Sequence, residues 1–136
     1  MIKEKITIKY DDEGDFLEIY FEDIKEGYYK EIKDKCFERL DKETNKVVGY
    51  SIFSITKRKQ EIKMKEFSIK YNEEGDFLEL DFKKSKDTHF KEVKKNISEI
   101  IENKTEIIIG YIVSNFTKRK QNIIDIELPI SKEILA

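Results

Sequence analysis

The strongest constraint on this chain is that it repeats itself. An offset of 61 residues places "YDDEGDFLEIYF" (Tyr10 to Phe21) on "YNEEGDFLELDF" (Tyr71 to Phe82), identical at 8 of 12 positions. The same offset places "GYSIFSITKRKQ" (Gly49 to Gln60) on "GYIVSNFTKRKQ" (Gly110 to Gln121), identical at 7 of 12. Because both blocks share one offset, the stretch between them has kept its length, as expected if each copy is a complete structural unit. The copies are residues 1–61 and 62–136, the second with a short C-terminal extension. No Gly, Ser or Pro-rich linker separates them, and a unit of about 60 residues buries only a modest core alone. The two are therefore expected to pack, about a pseudo-twofold axis, into one compact unit.

Within each copy the apolar period is two. Ile6, Ile8 and Tyr10 alternate with Thr7 and Lys9, and Phe67, Ile69 and Tyr71 alternate with Ser68 and Lys70, the pattern of a half-buried strand. "DDEGD" and "NEEGD" follow, each with a Gly suited to a positive backbone angle, and Leu17, Ile19, Phe21 or Leu78, Leu80, Phe82 then alternate with polar residues as the return strand. Extended stretches at Tyr28 to Ile32 and Cys36 to Asp41 fit one bent strand or two short ones. The last strand of each copy, Val47 to Ile55 or Ile108 to Phe116, is apolar on both faces, which places it centrally in a sheet or at the contact between copies. Gly49 and Gly110 on it mark a bulge or a close backbone approach. Tyr50 and Tyr111, just after them, are expected in the core with their hydroxyls bonded or at its boundary. Ile124, Ile126, Leu128 and Ile130 read as one more strand, and "SKEILA" as a helical turn. The fold class is mainly β, two antiparallel β-meander repeats with little helix.

Charged residues make up 41% of the chain, but 27 basic against 29 acidic side chains nearly cancel, so net charge favours neither a polyanion nor a membrane surface. No apolar run reaches the length of a membrane span, and "MIKEKITIKY" carries no signal-peptide core. The single cysteine, Cys36, agrees with a reducing compartment, and the expected location is cytoplasmic.

Candidate chemistry is sparse. Asp11, Glu13 and Asp15 alternate like hard-cation ligands, but their loop is shorter than a calcium loop of about twelve residues and Asn72 replaces one carboxylate in the other copy, so they read as turn residues. His89 stands where the first copy has Tyr28, and Cys36 where the second has Ile97, so neither belongs to a repeated feature. Glu18 and Glu79 occupy matching places and read as solvent-facing strand positions, with acid-base chemistry as the rival. No phosphate loop, dinucleotide glycine pattern or zinc spacing is present. The expectation is no catalytic residue, no cofactor and no metal. The twin basic runs Lys57, Arg58, Lys59 and Lys118, Arg119, Lys120 remain as candidate contacts to a protein or to nucleic acid. Their other reading is protective charge at a strand end.

The two conserved-length blocks resemble the small prokaryotic YuzE-like family, domain of unknown function 2283, whose pattern runs Tyr-Asp-x-Glu-x-Asp-x-Leu and later Val-Gly-x-x-Ile-x-x-x-Ser-Lys-Arg. The first copy supplies Tyr10, Asp11, Glu13, Asp15, Leu17, Val48, Gly49, Ile52, Lys57 and Arg58, with Thr56 in the serine position. The second has Asn72 for the first aspartate and Val113 for the isoleucine. The resemblance implies a fused pair of domains and an antitoxin-like partner role. The expected function is therefore non-catalytic protein binding or self-association, with nucleic-acid binding through the twin basic runs as the alternative.

Overall fold

The computed structural model describes residues 3–21, 26–64, 67–118 and 123–129, with the backbone alone for 3–5 and 123–129. It is mainly β. Twelve strands form two six-stranded sheets, and the only helical elements among the described residues are two three-residue 3-10 turns, Ile55–Lys57 and Phe116–Lys118. The first sheet takes β1 (Lys3–Asp11), β2 (Phe16–Tyr20), β3 (Gly27–Lys33), β4 (Cys36–Asp41) and β5 (Val47–Phe53). The second takes β6 (Ile62–Lys63), β7 (Ser68–Asn72), β8 (Phe77–Asp81), β9 (Thr88–Lys94), β10 (Ile97–Glu102) and β11 (Ile108–Ser114). The last strand, β12 (Ile123–Pro129), returns to the first sheet, so the orders are β12-β1-β2-β5-β4-β3 and β6-β7-β8-β11-β10-β9.

Among the described residues only the strand after the second "TKRKQ" crosses between the copies. β6 pairs with β7 of the second copy, and β12 with β1 of the first. The compact units are accordingly not the two sequence halves. Among the described residues, one comprises 3–55 with 123–128, the other 56–118 with Pro129. The boundary between residues 61 and 62 follows the repeat in sequence, whereas a strand joins whichever edge has free backbone groups.

Local geometry repeats as closely as sequence does. Among the described residues, the non-glycine positions with positive φ form four pairs 61 residues apart: Asp15 and Asp76, Lys35 and Asn96, Asn45 and Glu106, Ser54 and Asn115. The turn glycines Gly14 and Gly75 were the expected positive-φ residues; no glycine has one, and Asp15 and Asp76 take it instead. Aspartate tolerates the left-handed region, and its carboxylate is used here. Asp76 Oδ1 accepts from the Tyr71 hydroxyl at 2.7 Å, and Asp15 Oδ1 from the Tyr10 hydroxyl at 2.9 Å. Tyr28 to Ile32 and Cys36 to Asp41 prove to be two strands, β3 and β4, joined at Asp34 and Lys35.

β5 and β11 lie inside their sheets, hydrogen-bonded on both sides, which accounts for their apolar content. Both alternatives for their glycines hold at once. Arg39 faces Gly49 while Leu40 faces Val47, leaving Val48 as the extra residue of a bulge, and Ile109 is its counterpart. A Cβ at Gly49 would stand 2.6 Å from the Ile19 carbonyl oxygen, and at Gly110 2.5 Å from that of Leu80. The strand ends at Phe53; Ser54 turns the chain and sends Ile55 back into the core rather than along the sheet.

One face of each sheet is the core. Ile8, Leu17, Ile19, Tyr50 and Ile52 supply it in the first, and Ile69, Leu78, Leu80, Tyr111 and Val113 in the second, all nearly inaccessible to solvent. Tyr50 and Tyr111 are each 1% exposed, as expected. The Tyr111 hydroxyl, expected to be bonded or at the boundary, is instead buried without a hydrogen-bond partner. The ring's apolar area outweighs one unmade bond at this position. The C-terminal "SKEILA" lies outside the described residues.

Candidate functional site

Each basic run begins on a 3-10 turn tied to the acidic turn of its own copy. In the second copy, Asp76 accepts from the Thr117 amide at 3.1 Å and the Thr117 hydroxyl at 2.9 Å, while its own carbonyl accepts from the Phe116 amide at 3.0 Å. In the first, the Asp15 carbonyl accepts from the Ile55 amide at 3.3 Å. Asp76, the counterpart of Asp15, is therefore the anchor for the threonine that opens the second "TKRKQ". Burial, and then the bond to Asp76, push the Tyr71 phenol up to about 12. Lys57 and Lys118 are exposed at the ends of these turns, Lys59 is exposed and Arg58 half-buried; Arg119 and Lys120 lie outside the described residues.

Of the remaining candidates, Cys36 is fully buried on β4 and packs as a core residue. His89 is exposed on β9, its Nδ1 against Asn103 Oδ1. Asp11 Oδ1 accepts from the Glu13 and Gly14 amides of its own turn. No helix among the described residues is long and apolar enough to cross a membrane.

Two features were not found by sequence reasoning. The first is a matched pair of sheet edges. β3 and β9 are the outer strands at corresponding ends of the two sheets. All seven residues of β3 are exposed, as are all but the first of β9. Tyr29 is 53% and Phe90 61% exposed, with Ile32 and Val93 exposed as well, and both pairs stand 61 residues apart. The signal was present in the self-alignment, as "YKEIK" beside "FKEVK".

The second feature is the face of each sheet opposite the core. Cross-strand partners share a face, so Phe16, Glu18 and Tyr20 of β2, Gly49, Ser51 and Phe53 of β5, and Phe37 and Arg39 of β4 stand together on the first sheet. The Phe16 and Phe53 ring centroids are 4.5 Å apart, and those of Phe37 and Phe53 5.8 Å. The Arg39 guanidinium carbon lies 5.1 Å from the Tyr20 ring centroid and 5.9 Å from that of Tyr29. On the second sheet the corresponding face carries Glu79 and Asp81 side by side on β8, opposite Lys70 and Ser68 of β7. Lys84 Nζ donates to Glu61 Oε2 at 2.9 Å and to Asp81 Oδ2 at 3.2 Å. That bond to Lys84 lowers the Glu61 carboxyl, and the bond to Glu61 raises the Lys84 ammonium. Glu79 is pushed up to about 7 by its hydrogen bond with Asp81, then by burial and by the Asp81 charge. The solvent-facing reading of Glu79 is thus half met, since it is partly covered and shares its face with a second acid.

Comparison of the chain with protein-family models, with curated proteins and with solved structures finds no match.

Proposed function

We propose that this chain is a non-catalytic binding protein that takes a protein strand, from a partner or from a second copy of itself, along the edges β3 and β9. The observation that carries this reading is the recurrence of exposed apolar side chains, Tyr29 with Ile32 and Phe90 with Val93, on two strands that are outermost among the described residues of their sheets. An added strand gains main-chain hydrogen bonds, and the alternating side chains give it register. Lys30, Lys33, Lys91 and Lys94 on the same strands limit indiscriminate pairing, as edge lysines do in other sheets. The resemblance to the YuzE-like family supports an antitoxin-like version of this role, in which the partner is a small toxin-like protein.

The test is sedimentation and co-purification of the full chain beside a double variant, Ile32→Lys with Val93→Lys, checked by circular dichroism for an unchanged fold. A stoichiometric complex or dimer that the double variant loses supports the reading, and a chain that is only ever monomeric and alone overturns it. The alternative, nucleic acid held by Lys57, Arg58, Lys59, Lys118, Arg119 and Lys120, draws support from the anchored turns that present Lys57 and Lys118. It predicts binding to oligonucleotides that weakens with salt and is lost when Lys57, Arg58, Lys118 and Arg119 are neutralised.

A further inference from the structure

We infer that the open face of the first sheet is a second recognition site, adjoining the β3 edge at Tyr29, for a peptide group that presents one carboxylate beside an apolar side chain. Arg39 takes the carboxylate, and the Phe16, Phe37 and Phe53 rings take the apolar group. Arg39 makes no hydrogen bond or ion pair with any described residue, in a chain with 29 acidic side chains. Its guanidinium is instead held by Tyr20 and Tyr29, which orient a cation through their ring faces and leave its planar fork of N–H donors unused. A carboxylate fits that fork with two parallel bonds.

Beside it, Phe53 stays 39% exposed although two other rings pack on it, so apolar area is kept in water where a fold alone would bury it. Ser51, cross-strand from both Phe37 and Glu18, is 2% exposed, and its buried hydroxyl has no hydrogen-bond partner among the described residues. The duplication supplies the control. The second sheet has the same strand order and registers, yet it places Asp81, Ile100, Ser98 and Ser114 where the first has Tyr20, Arg39, Phe37 and Phe53. The sheet therefore forms without this group of side chains, and their presence on one copy answers to something other than folding. Glu18 and Glu31 share the face through their cross-strand partners Ser51 and Phe37. They repel a run of phosphates more strongly than one carboxylate seated on Arg39, which favours a peptide over a nucleic acid.

The experiment is amide-detected NMR titration of the full chain at pH 7 with N-acetylphenylalanine, whose carboxylate is free, and with N-acetylphenylalaninamide, which lacks it. The acid is expected to bind in the millimolar range and to shift amides of β2, β4 and β5 but not of β8, β10 and β11. Arg39→Gln, and the amide probe on the parent, should each weaken binding about tenfold, roughly the 1.4 kcal/mol of one charge-assisted contact. Phe53→Ser, which installs the residue of the second sheet, should weaken both probes alike. Arg39→Lys, which keeps the charge and loses the fork, should fall between. Equal binding of the two probes, no shifts at all, or tighter binding of an eight-residue oligothymidylate at the same amides would each overturn the inference. The Ile32→Lys, Val93→Lys variant retains this site, so failure of edge pairing and failure of the aromatic site are read separately.

Discussion

Tyr20 in the first sheet lies beneath a guanidinium; Asp81, its counterpart in the second, accepts a hydrogen bond from an ammonium. Around these two residues the sheets keep one backbone and carry opposite surfaces. Positive-φ positions, bulges, cross-strand registers and the buried tyrosines all recur after 61 residues, whereas the face away from the core has turned aromatic and cationic in one copy and acidic in the other. The difference separates two kinds of constraint. Residues that close a turn, admit a neighbouring carbonyl or fill the core are held by the fold. Residues on the open face are held only by what meets that face.

If the frame is common, its removal should hurt both copies equally. Tyr50→Ala and Tyr111→Ala each delete a buried ring and are expected to destabilise by about 3 kcal/mol, as other large aromatic losses do. Urea unfolding of each variant beside the parent checks this, and a large loss in one copy with a change below about 0.5 kcal/mol in the other would break the comparison.

The acidic face should add a pH dependence that the first sheet lacks the residues to produce. The Glu79 carboxyl, near 4.5 in an unconstrained chain, is raised to about 7 in the folded protein by Asp81 and by burial. Between those values the folded chain holds a proton that the unfolded chain has released. Stability contributed by this group is therefore complete below about 4.5, declines as pH rises through about 7, and is level beyond it. Solvent screening at this half-covered position limits the decline to on the order of 1 kcal/mol. Unfolding measured from pH 4 to pH 8 should show the slope in the parent and lose it in Glu79→Gln and in Asp81→Asn. A slope that persists in both variants assigns it elsewhere.

The smallest effect sharpens the frame itself. Since the Tyr111 hydroxyl is buried with no partner, Tyr111→Phe removes an unmet polar group and should leave stability within about 0.5 kcal/mol of the parent or raise it slightly. Tyr71→Phe, by contrast, removes a bond to Asp76 at 2.7 Å and should lose about 1 kcal/mol. Reversal of that order in paired unfolding curves would show that the Tyr111 hydroxyl is satisfied in solution.

By itself the sequence determined the duplication, the period-two strands, the hairpins at "DDEGD" and "NEEGD", and a last strand covered on both faces with a special role for the glycines at 49 and 110, while its central place in the sheet came from the structure. These are local or internally repeated facts, and alternation names which residues share a face before any partner is known. Only the tertiary structure decided which strand lies beside which. Nothing in Ile123 to Pro129 says that it joins β1 rather than β7, because backbone hydrogen bonding is indifferent to sequence and an edge takes whatever strand the chain path delivers. The same holds for the open faces. Tyr20, Arg39 and Phe53 come from three strands, and Glu61, Asp81 and Lys84 from a strand and two connections, so each group exists only once pairing has brought distant residues together. The basic pentapeptide marks the boundary between the two kinds of knowledge: its recurrence was plain in the letters, but the reason its threonine recurs became visible only when Asp76, 41 residues earlier, was found holding Thr117.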